Sequence, residues 1–361
     1  MVLLMTAFLE SSANLLEADV DALVNTVNTV GVMGKGIALQ FKNSFPANFK
    51  AYERACKDSR VRLGEMFVFD AGQLMKPRWI INFPTKGHWR SGSKISDIAS
   101  GLDDLRRVID ELGIKSIALP PLGCGNGGLE WSAVRPLIDA KLADLDIEVL
   151  VFPPASTPAA SAMSVATPRP ILSPGKAALV GMVGRYSLVG LGASLIEIQK
   201  LMYFLQEAGE NLSLQYEPAR YGPYADRLRH VLKAVEGHHL RGFGDGSKRV
   251  QEAEVIETLP GAMADADEAL STNPAVVERM DRVFRLVDGF ESPYGLELLA
   301  SVHWVSTRDD SGPTDELDVA VQRVQEWSGR KQRMFTEDHI AIAFERLQTH
   351  GWLTHVPALA K

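Results

Sequence analysis

The chain has 361 residues, a net charge of −7, and a hydrophobic content of 46% against 23% charged. That length suits two domains, each able to bury a core, and a mean hydropathy of −0.03 is that of an ordinary soluble protein. No apolar run reaches the ~18–20 residues of a membrane span, and the acidic excess lies almost wholly beyond residue 154, which excludes duplex binding by phosphate neutralisation there.

The apolar N-terminus lacks a basic start and a cleavage site, so it reads as a first strand. A second strand is predicted over 20–30, carrying Asn25 and Asn28, whose amides suit sugar hydroxyls. It breaks into a loop with glycines at 31, 34 and 36, and a helix resumes from about Ile37 to Ala55. Glycines let backbone N–H groups approach a ligand, and a helix start behind them favours phosphate. The loop is not a Walker A motif, because Gly36 rather than Ser or Thr follows Lys35; nor is it a dinucleotide fingerprint, because its glycines fall in the wrong order.

Further strands are predicted over 66–69, 79–83, 116–119 and 148–152, with helices over 97–112 and 131–142. The sequence therefore predicts an α/β domain over 1–153 with a mixed, mainly parallel sheet. A second glycine-rich loop, Leu119 to Gly128, leads from a strand into a helix, and two such loops can grip a diphosphate from both sides.

The Pro-, Ala-, Ser- and Thr-rich stretch 154–176 reads as an interdomain linker, and 177–361 as a mainly helical second domain. Leu195, Ile198, Leu201, Met202 and Leu205 share one helical face, with Tyr203 and Phe204 expected in the core. Asn273 ahead of Pro274 and Thr336 ahead of an apolar pattern including Ile340, Ile342, Phe344 and Leu347 mark helix starts, with Gly351 closing the last. Tyr221, Tyr224 and Phe243, on glycine-containing loops, are candidate partner contacts, whereas His238 and His239 read as a surface pair. Acidity in this half serves solvation, repels nucleic acid or matches a basic groove on a partner; all three stay open.

Asp21 to Asn25, Asn28, Gly31 to Ile37 and Pro120 to Gly128 resemble the macrodomain fold, which binds ADP-ribose. Gly31 to Lys42, together with Asn82 to Arg90, is similar to the DarG family, macrodomain antitoxins paired with the DNA ADP-ribosyltransferase toxin DarT. Glu197 to Gln206 and Tyr221 to Tyr224 are similar to the second half of the same family and, more loosely, to toxin-neutralising Panacea domains.

The resemblance implies removal of ADP-ribose from DNA, by family from thymidine in single strands, and a DarT-like partner for the second domain. A hydrolase of protein-linked ADP-ribose and a non-catalytic reader tethered to a partner-binding domain are the alternatives. It further implies Lys86 and Asn28 as catalytic, Asn28 facing the distal ribose or the modified base, and Asp21 accepting from the adenine amine. Asn25, Val32, Gly34, Gly36 and Ile37 would line the ligand on one side, and Pro120, Gly123, Cys124, Gly125, Asn126 and Gly127 on the other.

A desolvated lysine at a strand end can attack an anomeric carbon, with His88 and Arg90 near it in sequence; protonating the leaving base is the other role for Lys86. The loop carries no aspartate to resolve an adduct, and Glu130 comes only after it. Cys124 is expected to pack rather than attack. No cofactor or metal is expected, since backbone donors serve the diphosphate. Two cysteines without a disulfide framework fit a reducing cytoplasm.

Overall fold

The computed structural model describes residues 6–72, 76–154, 159–188, 192–248, 250 and 253–353. The chain forms two compact units, Met1–Pro168 with Asp245–Ser247, and Arg169–Gly244 with Lys248–Lys361.

In the first unit the order is β1 (Ala7–Glu10), β2 (Ala22–Asn28), α1 (Gly36–Ser44), α2 (Pro46–Lys57), β3 (Phe67–Asp70), β4 (Trp79–Lys86), α3 (Ile95–Leu112), β5 (Ser116–Leu119), α4 (Trp131–Leu142) and β6 (Glu148–Val151). The strands lie in the order β1-β6-β5-β2-β4-β3. All neighbours are parallel except β3, which runs antiparallel to β4. The predicted α/β class and mainly parallel sheet stand.

Both faces of this sheet are covered, which is why its central strands read as unbroken apolar runs. Alternate residues serve opposite cores: Ala22, Val24, Ile81, Phe83, Ile117 and Leu119 pack with Ile98, Leu102 and Leu105 of α3 and Val134 and Ile138 of α4. Leu23, Ile80 and Ala118 point the other way, onto Phe41 of α1. Helix α3 is amphipathic at three-to-four spacing, and Gly113 in the left-handed conformation ends it. The single helix expected over 37–55 is two, because Pro46 cannot continue α1 and instead starts α2.

The expected linker does not stand apart over its whole length. Ala166 donates to the carbonyl of Asn43 at 2.8 Å, Ser44 to Ser164 at 3.1 Å and Asn14 to Ala162 at 3.0 Å, all within the first unit. Residues 155–158 lie outside the described part. The second unit starts at Arg169, and its first helix begins before residue 177.

That unit contains α5 (Pro174–Ser187), α6 (Leu195–Glu207), β7 (Glu217–Ala219), β8 (Gly222–Tyr224), α7 (Arg227–Val235), β9 (Leu240–Arg241), β10 (Glu257–Thr258), α8 (Ala262–Leu270), α9 (Pro274–Val287), α10 (Pro293–Thr307), α11 (Leu317–Trp327), α12 (Gly329–Met334) and α13 (Glu337–Thr349). Ser194 and Glu197 close a capping box on α6, and Thr336 caps α13 through the amide of His339. Tyr203 and Phe204 are buried, as expected, whereas Ile342 is exposed.

Beneath the β7–β8 hairpin, Lys331 and Arg330 bond the buried carboxylate of Glu297 at 2.7 and 2.6 Å. Lys200 donates to the carbonyl of Pro223 at 2.6 Å. No described helix is long and apolar enough to cross a membrane.

Candidate active site

Strand β2 lies between β5 and β4, so chain connections leave in opposite directions at its carboxyl end, where open α/β sheets form their ligand crevice. Three loops meet there: 29–35 after β2, 87–94 after β4 and 120–130 after β5.

The register between β2 and β4 slips at their ends. Val27 pairs with Pro84 but Asn28 with Lys86, leaving Thr85 as a bulge. Pro84 has no N–H for the ladder, and a bulge re-aims the next side chain. Lys86 thereby comes opposite Asn28. Its Nζ donates to the carbonyl of Asn126 at 2.8 Å, reaching across to the second glycine loop. Burial holds this amine below the usual lysine range.

The first loop is organised by Asn28. Its Oδ1 accepts from the amides of Val30 (3.0 Å) and Val32 (3.3 Å), and its Nδ2 donates to the carbonyl of Val32 at 2.6 Å. From α2, the Tyr52 hydroxyl donates to the Asn28 carbonyl at 2.5 Å. The Asn28 side chain thus shapes the loop. Beyond it, Gly36 takes φ +61° to open α1, and no side chain caps that end or places an acid in its first turn. Helix amides there remain available to an anion.

The second loop approaches the first. A Cβ on Gly36 would stand 3.4 Å from Asn126 Nδ2. Gly127 has no room for a side chain at all, since a Cβ would strike Ser93 Oγ and the carbonyl of Gly123. Gly128 donates back to Gly125 at 3.2 Å and Leu129 to Gly123 at 3.0 Å, a tight arch. The amides of Gly125, Asn126 and Gly127 donate to no acceptor among the described residues. Cys124 Sγ contacts the Leu122 carbonyl at 3.5 Å, and burial raises its pKa, which disfavours a thiolate. Val32 and Gly34 therefore lie on the first loop with Gly36 and Ile37 opening α1 behind it, and Gly123 to Gly127, after Pro120, on the second, which Lys86 reaches.

Three expected residues fall elsewhere. Asp21 precedes β2 and sits at the amino end of the sheet, about 20 Å from the crevice at ~3.3 Å per strand residue. Its carboxylate accepts from the amides of Lys115 (2.9 Å) and Ser116 (3.0 Å) and pairs with Lys76, which hold its pKa down against burial; it ties β2 to β5 and does not reach an adenine in the crevice. Asn25 is fully buried and donates to Asn82 Oδ1 at 3.1 Å, in a ladder completed by Asn48 at 2.7 Å; it is not presented to a sugar. Phe243, at 6% exposure, belongs to the core of the second unit, so it is not a surface contact.

Tyr221 and Tyr224 remain half-buried on the β7–β8 hairpin, with Arg330 stacked over Tyr221 at 4.8 Å. His239 is buried beside Asp265 at 3.2 Å rather than at the surface. Among the described residues no group of three His, Cys, Asp or Glu could hold a metal ion.

Sequence reasoning missed Tyr52, Asn48 and the bulge at Thr85. Of these only the bulge carries a signal, the proline at a strand end.

Residues 24–138 match the macro domain family. A DNA ADP-ribosyl glycohydrolase of Thermus aquaticus is 46% identical over 94% of this chain and 92% of its own length. A DNA ADP-ribosyl transferase–DNA ADP-ribosyl glycohydrolase fusion protein of Thermosipho africanus is 38% identical over 40% of this chain and 43% of its own. The solved macrodomain of Mycobacterium tuberculosis DarG is 55% identical, covers 42% of this chain and 99% of its own, and has a TM-score of 0.39. An identity of 46% sustained through both units places this chain in the DarG family of DNA ADP-ribosyl glycohydrolases.

Proposed function

We propose that the first unit cleaves ADP-ribose from thymidine in single-stranded DNA, and that the second binds and neutralises a DarT-like ADP-ribosyltransferase. The observation that carries the first half is the placement of Lys86: a partly buried amine at the carboxyl end of β4, bridged at 2.8 Å to the loop that would hold the diphosphate. The uncapped start of α1 and the unpaired amides of Gly125 to Gly127 supply donors for that diphosphate. With the pyrophosphate pinned, the sugar beyond it falls toward Lys86.

The neutral amine attacks the anomeric carbon, forming a carbon–nitrogen bond as the bond to the base breaks. The base leaves with the bonding pair and takes up a proton, and water then frees the lysine. Asn28 acts by fixing the loop through Val30 and Val32. Support for the second half comes from the Thermosipho africanus relative, whose name joins transferase and glycohydrolase in one chain. Tyr221 and Tyr224 are the proposed contacts. Free thiols and such a partner suit action in the cytoplasm.

The test compares the wild-type chain with Lys86→Ala on an ADP-ribosylated oligonucleotide and on ADP-ribosylated protein. Release from the oligonucleotide by wild type, falling at least about a hundredfold in Lys86→Ala, is expected for loss of a nucleophile. Release from protein alone would point to a protein-linked hydrolase, and binding without release from either to a reader.

A further inference from the structure

The loop between β4 and α3 is fastened at both ends to the crevice. At its start, the Gly87 carbonyl accepts from Thr29 N at 3.2 Å and Thr29 Oγ1 at 2.8 Å, fixing it to the first loop. At its end, Ser93 N donates to the Gly127 carbonyl at 2.9 Å, fixing it to the second. Between these anchors the chain turns tightly: the Arg90 amide donates to His88 Nδ1 at 3.2 Å, and Ser91 N to the His88 carbonyl at 3.0 Å.

The turn holds Trp89 outward at 45% exposure. One part of its surroundings is the His88 ring, 5.2 Å away and inclined at 31°; the other is the Arg90 guanidinium, 4.4 Å above the indole. An exposed indole costs stability unless something covers it. It is in no hydrophobic core cluster of the described residues, and its neighbours flank it without burying it.

The rest of the rim has the same character. Of the six large hydrophobics exposed among the described residues of the first unit, Val30, Val32, Trp89 and Ile95 all stand on or at the end of the loops after β2 and β4. Lys35, Arg90 and Lys94 lie on those loops too, and none has an acidic partner among the described residues. Flat aromatic surface flanked by unneutralised cations is the chemistry that grips a nucleic-acid strand with splayed bases.

We propose that Trp89 is a stacking platform for the base adjoining the ADP-ribosylated nucleotide, backed by Arg90 over its indole and with Lys94 on a flanking phosphate. Trp89 is thus a specificity-determining residue that distinguishes modified DNA from free ADP-ribose. The proposal rests on the DNA glycohydrolase reading of the same crevice. Unpaired bases present the face an indole needs, so single-stranded substrate is preferred over duplex.

The test uses the full chain carrying Lys86→Ala, so that substrate is bound and not consumed. Affinities are measured for a short oligonucleotide ADP-ribosylated at a central thymidine, the same oligonucleotide with abasic neighbours, and free ADP-ribose. Adding Trp89→Ala is expected to lower oligonucleotide affinity relative to ADP-ribose about tenfold, and Trp89→Phe to lower it less. Abasic neighbours should produce the same loss with Trp89 present and little further loss with Trp89→Ala, the non-additivity of two groups in contact.

An unchanged ratio, or additive losses, overturns the proposal. Absence of ADP-ribose release from the oligonucleotide by the chain with Lys86 intact would instead remove the glycohydrolase reading, whatever the stacking result.

Discussion

At the scale of single residues, the proposed chemistry turns on Lys86, whose environment bears on its charge. Burial favours the neutral amine, so its folded pKa lies below the ordinary lysine value. If that amine attacks, the single-turnover rate rises with pH and levels off above the depressed pKa; if the ammonium protonates the leaving base, the rate falls through the same range. A pH–rate profile on modified oligonucleotide is expected to show the rise.

Gly127 is constrained by sterics instead. Gly127→Ala forces Ser93 or the Gly123 carbonyl aside, and ADP-ribose affinity measured by calorimetry is expected to fall about tenfold or more, in the range of an overpacked contact.

How much of this was legible residue by residue depends on geometry that sequence carries only in part. Lys86 and the glycines follow strand ends and were legible. Asn25 and Asn28, three apart, fall on opposite faces of a period-two strand, so a single crevice was bound to take only one. Asp21 stands before the strand whose far end makes the site, and strand direction alone separates the two. Phe243 follows a glycine and resembles loop, but burial of a loop aromatic by distant helices leaves no local trace.

At the scale of elements, the pocket stands on buried polar ladders. Asn82 accepts from Asn25 and donates to Asn48 at 2.7 Å and to the Phe67 carbonyl at 3.2 Å. Asn82→Ala strands these partners in the core and is expected to cost about 3 kcal/mol in urea unfolding of the first unit.

In the second unit Glu297 is the shared anion of Lys331 and Arg330. Glu297→Gln leaves a buried ammonium uncompensated and is expected to destabilise by about 3–5 kcal/mol.

Lys200 adds a pH dependence. Burial, with like charge from Lys331, brings it to about 7, and Glu297 opposes this. Unfolded lysine titrates near ~10.4, so between those values the unfolded state holds more protons and stability of this unit rises with pH. Lys200→Met should flatten that rise in thermal melts. Helix existence was readable here from spacing, as at Leu195 to Leu205, and from caps, as at Thr336. The buried lysines were not, since their positions on α6 and α12 look like those of any solvated lysine.

At the scale of the whole molecule, the chain has two units, an α/β unit with the glycine-loop crevice and a mainly helical one, and the proposed function gives the modified nucleotide to the first and the partner to the second. Identity to the Thermus aquaticus glycohydrolase extends through both. The division was visible in the shift from alternating strand and helix signals to helices alone. Its position was not, because low-complexity composition does not report whether a segment is held by backbone hydrogen bonds such as that from Ala166 to Asn43.

Association of the second unit with a basic toxin surface would be strengthened by its negative charge, so affinity should fall as salt rises through the range where the Debye length shortens to ~8 Å and below. An affinity indifferent to salt would assign the interface to apolar contacts.

The central claim is that the two glycine loops and the start of α1 form a diphosphate cradle beside Lys86. Titration of ADP-ribose into the full chain carrying Lys86→Ala tests it most directly by calorimetry. One molecule bound per chain, with adenosine failing to compete for lack of a diphosphate, is the predicted result. No heat of binding for ADP-ribose, in a chain shown to be folded, would contradict it.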